Sequence, residues 1–145
     1  MDDRSQIENL LALYAQRLDN AEFENLGELF AKGSVSITGG PQDGLSARGS
    51  ADSEALYRRI IQLAPETGTT GTRHMITNIR IEMDGVNARS HCYFAVLQQT
   101  ATLTLQIVAS GYYEDRFSRD EQGDWFYLAR RIVCDQTGDL SQHMN

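Results

Sequence analysis

The chain has 145 residues, 41% of them hydrophobic, and its 13 Lys plus Arg against 20 Asp plus Glu leave a formal charge of −7. That length implies a single domain over residues 1–145, and an acidic chain with no basic stripe suits neither phosphate backbones nor anionic membrane surfaces, which argues against nucleic acid and membrane as partners. The polar start Met1–Gln6 lacks the basic-then-apolar order of a secretory leader, no apolar stretch reaches the ~20 residues of a membrane helix, and Cys92 and Cys134 lack CxxC or Cys/His spacing, so a reducing cytoplasm without a disulfide framework or zinc site is expected.

In chain order, Ile7, Leu10, Leu11, Tyr14 and Leu18 recur at three and four residues and predict a helix over Asp3–Leu18, with Asp3/Gln6 or Ser5/Glu8 as its cap. Phe23, Leu26, Leu29 and Phe30 predict a second helix over Glu22–Ala31, with Gly33 as a left-handed cap, and the two form a hairpin. Ser34–Thr38 alternates weakly as a strand, and the run Gly39–Gly44 is a loop. A third helix is expected over Ala51–Leu63, closed by Pro65. Beyond the turn-rich Glu66–Thr72, the period changes to strand-like runs over Arg73–Met83, Ala88–Gln99, Thr102–Phe117 and Trp125–Asp135, joined by turns at Asp84-Gly85 and Glu121–Asp124. Helices followed by an antiparallel meander define an α+β chain with the helices on one face of a curved sheet. The polar tail from Thr137 to Asn145 is expected to fray.

A curved sheet around a helical hairpin encloses a space that is filled by side chains or kept as a pocket. Strict alternation puts His74, Ile76 and Asn78 on one face of their strand and Met75, Thr77, Ile79, Ile81 and Met83 on the other. A buried histidine satisfied by backbone is the bland reading of His74. Asp19 closes the first helix, where the dipole disfavours a carboxylate by about 0.3–1 kcal/mol, so it either pairs with a cation or donor or caps the next helix with Glu22. His91, Tyr14 and the neighbours Arg130 and Arg131 are further polar candidates, one of the two arginines facing inward and needing an anionic partner. His143 lies in the tail and carries little weight. A metal triad of His74, His91 and Asp19 is the weaker reading, because nothing in the spacing singles out a metal. No nucleotide-binding glycine motif or serine elbow is present.

The run IENLLALYAQRLDNAEFENLGELF (Ile7 to Phe30), GTRHMITNIRIEMDG (Gly71 to Gly85) and ASGYYEDRFSRDEQGDWFYLARRIV (Ala109 to Val133) resembles the SnoaL-like branch of the nuclear transport factor 2-like superfamily. That resemblance implies a cone-shaped curved antiparallel β-sheet wrapped around an N-terminal helical hairpin plus a third helix, enclosing a pocket. Within the superfamily the chain is most similar to scytalone dehydratase and the related dehydrochlorinase, in which an aspartate ending the first helix pairs with a histidine starting a long strand. Asp19 in RLDNAEF and His74 in GTRHMITN match those positions. The resemblance extends to His91 as a second histidine and, out of register, to Tyr14, the position beside the aspartate being Leu18.

The expected chemistry is proton abstraction from carbon by His74, oriented by Asp19, with loss of an adjacent leaving group. His91 or Tyr14 is expected to serve as proton donor, Asn78 and Arg131 to hold a developing oxyanion, and Phe23 and Ile76 to line a pocket for a small apolar or aromatic substrate. No cofactor is required. An isomerase or cyclase would use the same pocket, and a non-catalytic binding or assembly subunit, like the small subunit of ring-hydroxylating dioxygenases, would leave it unused. An apolar outer sheet face predicts a homodimer or homotrimer.

Overall fold

A computed structural model describes residues 1–145. Helix α1 spans Asp3–Asp19, α2 Phe23–Glu28 and α3 Ser50–Ile60, and the strands are β1 Ser34–Thr38, β2 Ser46–Arg48, β3 Thr72–Asp84, β4 Asn87–Gln98, β5 Gln106–Arg119 and β6 Trp125–Thr137. One six-stranded sheet runs in the order β2-β1-β6-β5-β4-β3. It curls without closing, and the chain is α+β as expected. Two features correct the meander: β2, three residues long and without an apolar pattern, pairs with β1, and β1 lies parallel to β6. Gly33, just before β1, is not a left-handed cap; a Cβ there would stand 2.3 Å from the Tyr127 carbonyl oxygen, and glycine permits that close approach to β6.

The apolar stripe of α1 buries Ile7, Leu11, Tyr14 and Leu18 against the sheet, and Phe23, Leu26 and Phe30 complete the cover. Asp2 rather than Asp3 or Ser5 caps α1, accepting from the Ser5 N–H at 2.7 Å. At its other end Asn20 is the C-cap, the Glu22 N–H reaches Arg17 O at 2.8 Å and the Ala21 N–H reaches Leu18 O at 3.0 Å. This is a Schellman turn in which Ala21, at φ 57°, holds the left-handed position usually given to glycine. Glu22 precedes α2 without a side-chain cap, so the carboxylate of Asp19 is free for other work.

Strict alternation fails in β3. A bulge between Thr77 and Arg80, with Asn78 at φ 55°, inserts one residue and reverses the facing beyond it. Ile79 and Ile81, expected outside, therefore pack against the core together with Ile76. Met75, Tyr93 and Ile107 stay exposed on the outer face and Leu105 in the adjoining loop, while Met83 is exposed at the far end of β3 beyond the bulge. The C-terminal tail, expected to fray, is docked: the His143 carbonyl accepts from the Gln62 N–H at 2.9 Å and the Asn145 N–H donates to Ile60 O at 2.9 Å. No helix is long and apolar enough to cross a membrane.

Candidate active site

Asp19 is the last residue of α1, and β3 is an edge strand, so the end of the helix covers an otherwise unpaired stretch of backbone. Thr72 and His74 stand two residues apart on the inward face of that strand. The Thr72 hydroxyl donates to Asp19 Oδ1 at 2.7 Å, the His74 backbone N–H donates to Oδ2 at 2.9 Å, and His74 Nδ1 lies 2.6 Å from Oδ1. The Thr70 hydroxyl in turn donates to the Asp19 carbonyl at 2.7 Å. Three donors on one carboxylate offset the unfavourable end of the helix dipole. Burial pushes the Asp19 carboxyl up, but the His74 ring bond, its charge, the backbone N–H and Thr72 outweigh it and hold the group below its ordinary value. Ionised Asp19 accepts at Nδ1, which fixes the proton there and leaves Nε2 as the basic nitrogen.

His74 lines a narrow cavity with about 40 Å³ of free space, walled by Leu18, Ile37, Ile60, Phe94, Val96 and Ile132. Tyr14 and Tyr57 contribute a second polar group to this cavity, their hydroxyls 2.5 Å apart and buried. Burial raises both phenols, so they remain protonated donors. Behind Tyr14, Arg130 makes a two-pronged ion pair with Asp115, both contacts 2.8 Å. Its guanidinium carbon lies 4.2 Å from the Tyr14 ring centroid and 3.7 Å from that of Tyr113. Burial alone would lower the Arg130 pKa; Asp115 and the neighbouring phenols more than offset it, and the cation persists inside the core.

The remaining sequence candidates are distributed differently. His91 faces outward, stacked on Tyr112 with ring centroids 5.1 Å apart, because it alternates with the inward Ser90 and Cys92. A triad of His74, His91 and Asp19 is therefore not assembled. Arg131 also points out, to Glu114 at 3.1 Å, and Arg130 is the inward member of the pair. Asn78 sits exposed on the bulge, and Phe23 and Ile76 pack in the core without lining the cavity. Tyr14 does line it. Cys134 is at the cavity wall and both cysteines are free thiols.

Sequence reasoning passed over His143. It is 1% exposed, reaches the cavity wall, and stands edge-on to His74 with ring centroids 5.7 Å apart. The signal was the spacing of Leu140, His143 and Met144, one helical turn inside a polar tail.

A curled sheet closed over by helices, with an aspartate–histidine pair at the wall of an interior cavity, defines a small pocketed α+β domain equipped for acid–base chemistry. The chain belongs to the SnoaL-like domain family, whose sequence profile it matches over residues 1–131. No functionally curated protein matches it. Among solved structures it is similar to a protein of unknown function with a cystatin-like fold from Nostoc punctiforme PCC 73102, with TM-score 0.76, 22% identity and 95% of each chain covered. A provisionally named scytalone dehydratase from Novosphingobium aromaticivorans DSM 12444 superposes with TM-score 0.71 at 21% identity, covering 94% of this chain and 87% of that one. ActVI-ORFA from Streptomyces coelicolor gives TM-score 0.71 at 18% identity, covering 91% of this chain and 96% of that one. These likenesses establish the shared fold.

Proposed function

We propose that the protein is a cofactor-independent lyase of the dehydratase type, acting on a small apolar or aromatic substrate with a carbonyl next to an acidic C–H. The observation that carries this reading is the 2.6 Å contact between Asp19 and His74 at the wall of an apolar cavity. His74 Nε2 takes the proton from carbon while Asp19 stabilises the imidazolium. The hydroxyl pair Tyr14 and Tyr57 donates to the carbonyl oxygen as negative charge develops there, polarised by the Arg130 cation beneath. The carbanion then expels a hydroxyl from the adjacent carbon, and the proton on His74 leaves with it as water. Substrate becomes conjugated product plus water, and the enzyme returns to its starting state.

The aldol adduct of benzaldehyde and acetone, a β-hydroxy ketone of this class, tests the reading. In D2O the protein is expected to exchange the α-protons and to form the ultraviolet-absorbing enone, and His74→Ala is expected to lose both. Exchange without enone would favour an isomerase, which shares only the first step. Wild-type rates in His74→Ala would refute the assignment.

A further inference from the structure

We propose that His143 is a substrate-contacting residue, which the C-terminal tail carries over the cavity to donate a hydrogen bond to the departing hydroxyl beside His74. This rests on the lyase reading above and adds to it a residue outside the 1–131 segment that defines the family.

The observations converge on the tail. His143 Nδ1 is buried without any hydrogen-bond partner, although the ring lines the same cavity as His74. A buried polar atom left unpaired costs free energy unless something arrives to satisfy it, and a ligand oxygen in the cavity is suited to do so. The tail that holds the ring is anchored by several side chains of the sheet end and the neighbouring loops. Gln98, fully buried, donates from its amide to Gln142 O at 2.8 Å, the Thr100 hydroxyl donates to Gln142 Oε1 at 2.5 Å, and Gln142 Nε2 donates to Thr102 at 2.9 Å. Gln42, from the loop after β1, donates to the Asn145 carbonyl, and the Asn145 side chain donates to Arg59 O at 3.0 Å. The free volume of about 40 Å³ holds a few waters at most and is far below the ~300–1,000 Å³ of a small-molecule pocket, so an aromatic substrate does not fit. Entry therefore requires an opening in the surrounding shell. Met144 and His143 are the part of that shell held by a single chain end, and their return places the imidazole next to His74.

Burial and the neighbouring His74 charge hold His143 down at a pKa of about 3, so it stays neutral while His74 becomes cationic. A neutral imidazole is a donor that keeps its own proton. The balance of the step follows: the α-C–H bond breaks and His74 gains the proton, the carbon–oxygen bond breaks as the double bond forms, and the departing oxygen takes that proton from His74. His143 holds the oxygen in place and is unchanged.

The test uses the full chain and the benzaldehyde–acetone adduct in D2O, following α-deuteration and enone formation together. In His143→Phe the ring volume remains and the donor is lost, so deuteration is expected to continue undiminished while enone formation falls about a hundredfold. His143→Asn, whose amide reaches the Nδ1 position, is expected to restore part of the enone rate, and thermal melting of both variants verifies the fold. Parallel loss of deuteration and elimination in both variants, or no loss in either, overturns the role of His143 while leaving that of His74 intact. Absence of both reactions in the wild-type protein overturns the lyase reading and this inference with it.

Discussion

Asp19→Asn separates shape from charge at the centre of the site. The carboxylate accepts three hydrogen bonds, from Thr72, the His74 backbone and His74 Nδ1. Asparagine has one oxygen. If that oxygen takes the place of Oδ1, the amide nitrogen meets the His74 backbone N–H and strands a donor, at a cost of about 1–3 kcal/mol. If it takes the place of Oδ2, the amide donates to Nδ1 and the ring proton moves to Nε2, so His74 no longer presents a base. Either arrangement withdraws the negative charge that stabilises the imidazolium. We expect both α-deuteration and enone formation to fall about a thousandfold or more, the scale on which such a change misplaces a histidine tautomer in a Ser-His-Asp triad. The melting temperature is expected to drop by about 3–10 °C. Because the folded Asp19 value lies below the ordinary 3.8, its contribution is present above that pH and is lost as pH falls through the lowered value. The variant should lack this acid-side slope. Turnover close to wild type in Asp19→Asn, with the fold intact, would refute the argument that the carboxylate sets the state of His74.

His143 has its folded pKa lowered from 6.5 to about 3, so its contribution is full above 6.5 and is lost as the unfolded chain takes up the proton below it. The loss amounts to about 2 kcal/mol at pH 5, and comparison of melting curves of wild type and His143→Phe, in which His74 and Asp19 are common to both, should show that difference. Asp115→Asn leaves Arg130 charged among tyrosines without its counter-ion, and urea unfolding is expected to register a loss of about 3–5 kcal/mol. Ala21→Gly removes a side chain from the left-handed position of the Schellman turn and is expected to stabilise by about 1 kcal/mol, read as a rise in denaturation midpoint. The outer sheet face exposes 51% of Tyr93 and 61% of Ile107; we propose that it is covered in a homodimer or homotrimer, and Tyr93→Asp should shift the species seen by light scattering to the monomer.

Much of the fold is legible because its signals are local. The stripe from Ile7 to Leu18 and the turns at Asp84-Gly85 and Glu121–Asp124 set α1 and the β3–β6 meander to within a few residues. What was not legible depends on distant partners. The parallel pairing of β1 with β6 has no mark in the sequence of Ser34–Thr38, and β2 is too short to show alternation. The bulge at Asn78 reads locally as an ordinary polar residue in a strand, yet it moves Ile79 and Ile81 from one face to the other. In the site, Asp19 stood out because a carboxylate at a helix end needs donors, and the resemblance supplied His74 as one of them. Arg130 and Arg131 are equivalent in sequence, and Asp115 on the neighbouring strand distinguishes them. His143 was obscured by the polarity of its tail, since anchoring through Gln98, Thr100 and Gln142 uses the same residue types as a solvated end.

The same hydrogen bonds that orient His74 also finish the sheet. At His74 the backbone N–H of an edge strand would face solvent, and Asp19 accepts it while accepting the ring. Positioning and edge protection are thus one interaction, which gives the pair the rigidity that the proposed general base requires at little additional cost in ordering. The tail is held in another way: backbone bonds at His143 and Asn145, side-chain bonds from Gln98, Thr100 and Gln42, and the apolar contacts of Leu140 and Met144 dock it near a chain end. In the proposed mechanism the base is fixed by α1 and β3 and the neutral donor His143 rides on a chain end, so that substrate enters without disturbing the group that takes the proton.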